Sequence, residues 1–109
     1  MPAYLALFET FPQAAALIDT GHAHVNGWDI PEVVKALGER LAACHVHDND
    51  GNGDAHLPVG QGDIEWVAYF DAVKKYAPQA TQVFEYCCGF SNTKDLEAHI
   101  AELRTKYNL

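Results

Sequence analysis

Three short stretches hold most of the side chains that could do chemistry: Asp19-Thr20-Gly21-His22-Ala23-His24, His45-Val46-His47-Asp48, and an isolated Glu85. Asp54 and His56 lie between the second and third, and five of the six histidines fall between positions 22 and 56. Carboxylates and imidazoles together are donors for divalent cations, with zinc gaining preference as imidazoles accumulate. An acid or imidazole enclosed in a fold is costly unless it is paired or metallated. Apolar runs that each close on such a group therefore point to a shared cation site. Each residue alone also has a plainer reading. Asp19 could cap a turn, His45 could bond backbone in a core, and the 54–56 loop could be held by Asx-turns with solvated imidazoles.

The elements that must position these groups alternate along the chain. Residues 3–11 have apolar side chains at 4, 5, 7, 8 and 11, a helical stripe ended by Pro12. The run 14–19 (AAALID) reads as a buried parallel strand. Residues 30–41 read as a helix capped by Asp29 with Pro31 in its first turn. A second buried strand, 41–47, leads into a glycine-rich loop at 48–62. Residues 63–76 carry a helical stripe of Ile64, Val67, Phe70 and Val73, closed by Pro78. The third strand is 82–87, and a last helix at 94–107 aligns Leu96, Ile100, Leu103 and Tyr107. Strands alternating with amphipathic helices imply an α/β fold of three β/α units on a parallel sheet, a single domain over 1–109. In such folds the strand carboxyl ends gather at one crevice. The metal-capable groups at all three strand ends, 19–24, 45–48 and 85, then point into that crevice.

The bulk properties narrow the classes. Fifteen acids against seven bases give a formal charge of −8, which repels phosphate backbones and makes nucleic acid an unlikely partner. No apolar run reaches the roughly 20 residues of a membrane span, and the first residues lack a signal-peptide pattern. A cytoplasmic location is therefore expected. Three cysteines without framework spacing imply reduced, mostly buried thiols, with Cys87 and Cys88 serving packing. Trp66, Tyr69 and Phe70 read as core and His99 as surface; Asp48 and Asn49 read as fixing the loop. His24 and His47 read as weaker candidates, with His47 able to share the His45 face or to support the ligands from behind.

The strand end at 19–24 (DTGHAH), the strand end at 45–51 (HVHDNDG), the run DAHLPVGQGDIEW at 54–66 and Glu85 after QVF together resemble the AP-endonuclease/xylose-isomerase-like TIM-barrel superfamily. That superfamily includes sugar-phosphate isomerases, ketose epimerases and an endonuclease branch. The resemblance implies the C-terminal portion of a (β/α)8 barrel, since the full fold takes eight units and about 250 residues. It implies metal ligation by Asp19, His45 and Glu85 of a divalent ion such as Zn, Mn, Co or Mg. His22 resembles a residue that touches substrate in the epimerases and a further metal in the endonucleases; Asp54 and His56 match a D-x-H pair that binds an extra zinc. A fourth ligand, a glutamate from an earlier strand, has no counterpart here.

The function the resemblance implies is isomerisation or epimerisation of a sugar or sugar phosphate, by proton transfer through a metal-stabilised enediolate. Glu85 would serve as catalytic acid/base and His22 would orient a hydroxyl. Two other readings stand beside it: a multi-metal phosphoesterase of the AP-endonuclease type, and a non-catalytic metal-binding or assembly role. An open three-strand parallel sheet exposes edges and a face, so a homo-oligomer or a complementary half-barrel is expected to cover it.

Overall fold

A computed structural model describes residues 1–109. Helix α1 (Pro2–Thr10) precedes strand β1 (Ala16–Asp19), which runs directly into helix α2 (Thr20–Val25) and helix α3 (Ile30–Leu37). Strand β2 (Leu41–Val46), helix α4 (Trp66–Tyr76), strand β3 (Thr81–Phe84) and helix α5 (Thr93–Tyr107) follow. The strands form one parallel sheet in the order β1-β2-β3. This is the three-unit α/β arrangement that the sequence implies, a partial barrel.

Register decides where the chemistry falls. Asp19 pairs with His45, and His45 with Val83, so the three share one row across the sheet. Side chains alternate faces along a strand. Ile18, Cys44 and Val46 on one face are buried beneath the helices, among a core that includes Val33, Val34, Leu37, Tyr69 and Phe70. The opposite face carries exposed Leu17 and Val83 together with Asp19, His45 and, one pleat beyond Val83, Glu85.

Caps and stops explain most boundaries. Asp29 accepts from the Glu32 amide to start α3, as expected. That helix stops earlier than position 41 because Gly38 turns to φ 50°, and residues 38–40 make a short 3-10 turn instead. Strand β3 ends at Phe84 and not at 87; the Glu85 amide still donates to the Val46 carbonyl (3.0 Å), and the Cys87 amide turns instead to the His56 carbonyl (3.0 Å). Helix α2 was not evident from the sequence: Asp19 closes the strand and caps it, accepting from the His22 amide at 2.9 Å.

The α4 stripe is also corrected. Val67 is exposed, because the helix starts at Trp66 and not at Asp63, and Trp66, Tyr69, Phe70 and Val73 take the inner face. Ile64 is buried from the preceding loop. Cys44 is buried as expected, but Cys87 and Cys88 are exposed, since the chain has left the sheet where they lie. His99 is half-buried and not surface; it accepts or donates at the Tyr86 hydroxyl, 2.8 Å away, and packs on Phe90.

Candidate metal centre

The 48–65 loop is organised around one buried carboxylate. Asp48 Oδ2 accepts from the amides of Gly60 (2.9 Å) and Gly62 (3.0 Å) and from Trp66 Nε1 (2.7 Å). Its Oδ1 accepts from the Asn49 and Ile64 amides. The backbone of Asp48 also pairs with Leu57 in an antiparallel bridge. Asp48 and Asn49 thus fix the loop, as their types suggest. Glycine is demanded at 62, where a Cβ would come within 2.3 Å of the Asn49 carbonyl oxygen.

Three more bonds lash the β1 and β2 ends together. The Thr20 hydroxyl donates to the His47 carbonyl (2.7 Å) and accepts from its amide (3.1 Å). Asn49 Nδ2 donates to the Gly21 carbonyl. Both side chains are buried, so these bonds are made away from competing water.

On this frame the expected residues converge in two sets. Donor atoms of Asp19, His45 and Glu85 lie within 4.8 Å of one another, and so do those of His22, Asp54 and His56. His45 Nδ1 stands 3.4 Å from Glu85 Oε2. Donors holding one zinc at about 2.1 Å sit roughly 3–4 Å apart. In the second set Asp54 Oδ2 bridges His22 Nε2 (2.8 Å) and His56 Nε2 (3.1 Å). His56 Nδ1 reaches the Glu85 carbonyl (3.1 Å), and its backbone holds φ 50°, a conformation unusual for a non-glycine residue and characteristic of functional sites.

His24 is not part of either set; it pairs with Asp63 at the loop's far side. His47, in contrast, lies between the two sets. It is 0 % exposed, its ring stacks on His56 at 3.9 Å, and Nε2 is 2.8 Å from Asp19 Oδ1. The sequence signal for this was parity: His47 is two residues beyond His45 and therefore on the same face. Neither ring nitrogen of His47 makes a hydrogen bond. A buried imidazole in that condition suits a cation-binding donor set.

Protonation in the second set is mutual. Burial would raise the Asp54 carboxyl, but the bonds from His22 and His56 outweigh it and hold the pKa below the usual value. Burial would lower His56, but the Glu85 carbonyl and Asp54 raise it instead. For the metal-free chain, the depressed Asp54 contributes stability present above its unfolded pKa of about 3.8 and lost as pH falls through the folded value. The raised His56 contributes stability present below about 6.5 and lost as pH rises through its folded value. In EDTA, the difference in Tm between the wild type and His56→Gln is therefore expected to be largest near pH 5 and to shrink by pH 8. A difference that grows toward pH 8 would contradict the pairing.

Known proteins share stretches of sequence and the fold with this chain. Protein MJ1311 of Methanocaldococcus jannaschii is 32 % identical over 59 residues, covering 52 % of this chain and 20 % of the relative. MJ1614 of the same organism is 30 % identical over 69 residues, 63 % of this chain and 27 % of that protein. Protein y4fM of Sinorhizobium fredii is 32 % identical over 77 residues, 64 % of this chain and 23 % of its own length. The chain thus spans about a quarter of these relatives. A crystal structure described as a D-tagatose 3-epimerase-like protein superposes with a TM-score of 0.68 at 25 % identity, over 93 % of this chain and 39 % of that one. No helix is long and apolar enough to cross a membrane. The sequence profile of the xylose isomerase-like TIM barrel family matches residues 3–106, and the chain belongs to that family.

Proposed function

We propose that this chain carries the ligand-bearing strand ends of a divalent-metal-dependent sugar or sugar-phosphate isomerase or epimerase. The observation that carries the reading is the convergence of Asp19, His45 and Glu85 at the carboxyl ends of three adjacent parallel strands. A fold shared with a D-tagatose 3-epimerase-like protein supports it. When bound, a divalent ion such as Zn, Mn, Co or Mg would supply Lewis-acid polarisation of a carbonyl and its neighbouring hydroxyl.

The protein's own groups do the rest. Glu85 lies on the open face with its side chain half exposed, placed to take the proton from the carbon beside the carbonyl. Returning it to the adjacent carbon isomerises the sugar; delivery by a second acid on the opposite face inverts the centre. His22 is exposed at the crevice rim, anchored through Asp54, and orients a substrate hydroxyl. Leu17 and Val83 on the sheet's open face are covered, in this reading, by further β/α units or by a second copy.

Calorimetric titration with Co2+ tests the site. Asp19→Asn is expected to weaken binding more than about 100-fold, beyond the 10–100-fold typical of supporting residues. Equal affinity in wild type and variant would refute the assignment. In an assembly carrying the complete barrel, Glu85→Gln should slow solvent deuterium entry at the ketose α-carbon by about 10²–10⁴-fold.

The His22, Asp54 and His56 set favours a second reading, phosphoester hydrolysis at a multi-metal site. It requires more than one cation per chain, which elemental analysis of the dialysed protein counts directly.

A further inference from the structure

We infer that Cys87 and Cys88 form a redox-active dithiol: a small disulfide of the glutathione type closes them reversibly into a vicinal disulfide, and closure releases the backbone of the neighbouring 55–56 segment. The inference goes beyond the metal-dependent activity above and does not rest on it.

Both thiols are exposed, because the chain has left the sheet where they lie, so packing is not their role. Their sulfurs are already in contact, with Cys87 Sγ 3.0 Å from Cys88 Sγ. Residues 85–91 belong to no helix or strand, and the chain turns at Gly89 with φ 99°, so no regular element fixes the pair in its reduced geometry. The third thiol, Cys44, is buried on the covered face of the sheet and takes no part.

The closed form is labile. A disulfide ordinarily spans Cα atoms about 4.4–6.8 Å apart, whereas adjacent residues are held at about 3.8 Å by a trans peptide. The bond is therefore strained, and strained, exposed disulfides are the ones that exchange readily. In the exchange, one cysteine thiolate attacks a sulfur of the small disulfide and expels a thiolate, leaving a mixed disulfide on the chain. The neighbouring cysteine attacks the protein-side sulfur and expels the second thiolate. The two thiol protons pass to the two leaving groups; the dithiol loses two electrons and the small disulfide gains them.

The consequence falls on the loop that carries Asp54 and His56. The Cys87 thiol lies 3.2 Å from the Ala55 carbonyl oxygen, and the Cys87 amide donates to the His56 carbonyl at 3.0 Å. A disulfide sulfur has no proton, so closure removes the first bond outright. Bringing the sulfurs of adjacent residues to a bond of about 2.05 Å rearranges the backbone between them. That backbone includes the region of the amide making the second bond.

The test incubates the 109-residue chain with glutathione disulfide, alkylates the remaining free thiols and digests with trypsin. The peptide Tyr76–Lys94 carries both sulfurs and excludes Cys44. We expect it unalkylated and two hydrogens lighter, with both thiols recovered on treatment with dithiothreitol. A peptide that stays glutathionylated, a disulfide between two chains, or two free thiols overturns the inference. Hydrogen exchange reads the effect on the loop. Protection of the Cys87 amide should fall at least about threefold in the oxidised chain, the low end for loss of one hydrogen bond. Unchanged protection overturns the release of the 55–56 segment.

Discussion

Asp48→Asn is expected to destabilise the chain by about 3–5 kcal/mol, the largest effect of any single polar substitution in it. Five donors converge on this carboxylate, two on Oδ1 and three on Oδ2, so no orientation of an amide can serve them. Either flip sets the Asn NH2 group against at least two N–H donors. Each stranded buried donor costs about 1–3 kcal/mol, and losing one partner of a buried charged network costs about 3–5. Domains of this size are stable by only about 5–15 kcal/mol. Urea unfolding monitored by Trp66 fluorescence measures the loss directly, since the indole is itself a bonded partner. A midpoint shift equivalent to less than about 1 kcal/mol would mean that the loop does not depend on this residue. Hydrogen exchange at the Gly60, Gly62 and Ile64 amides should accelerate together, because they share one acceptor group.

Gly21→Ala should be destabilising by about 2–3 kcal/mol, although local propensity points the other way. Gly21 sits in helix α2, where alanine gains about 1 kcal/mol over glycine. Opposing that, the new Cβ would fall 2.1 Å from Cε1 and 2.4 Å from Nδ1 of the His47 ring. The ring cannot yield, being enclosed and stacked on His56. Overpacking of this kind costs about 1–3 kcal/mol, and here the obstacle is a whole aromatic ring. A double-mutant cycle isolates the cause: truncating the ring in Gly21→Ala/His47→Ala should recover part of the loss, with a coupling of at least about 1 kcal/mol. Strict additivity would show that Gly21 is needed for another reason. The single variant should also weaken Co2+ binding, since moving His47 disturbs Asp19.

The chemical content of the candidate site was legible from composition and order alone. Asp19, His45 and Glu85 each close an apolar run, and side-chain alternation with a parallel sheet is enough to aim them at one crevice. Asp29 marks the start of α3 in the chain itself, because a cap is a local interaction, whereas the stop at Gly38 was passed over in a helix read through to 41. The loop function of Asp48 and Asn49 was legible as well, through their types and their glycine-rich surroundings.

What lay beyond the sequence depended on long-range closure. The turn of helix α2 directly after β1 is stabilised by the Asp19 carboxylate, the same group that the cation reading places at the site, so one residue serves two roles that no local pattern separates. The exposure of Cys87, Cys88 and Val67 follows from where β3 ends and where α4 begins, boundaries set by packing against other elements. The sequence alone determined that carboxylates and imidazoles would meet at the ends of parallel strands, because parity and strand direction are local properties. Only the tertiary structure decided that His47 lies between the two donor sets: its enclosure depends on Thr20, Gly21 and His56, which reach it from two other segments of the chain.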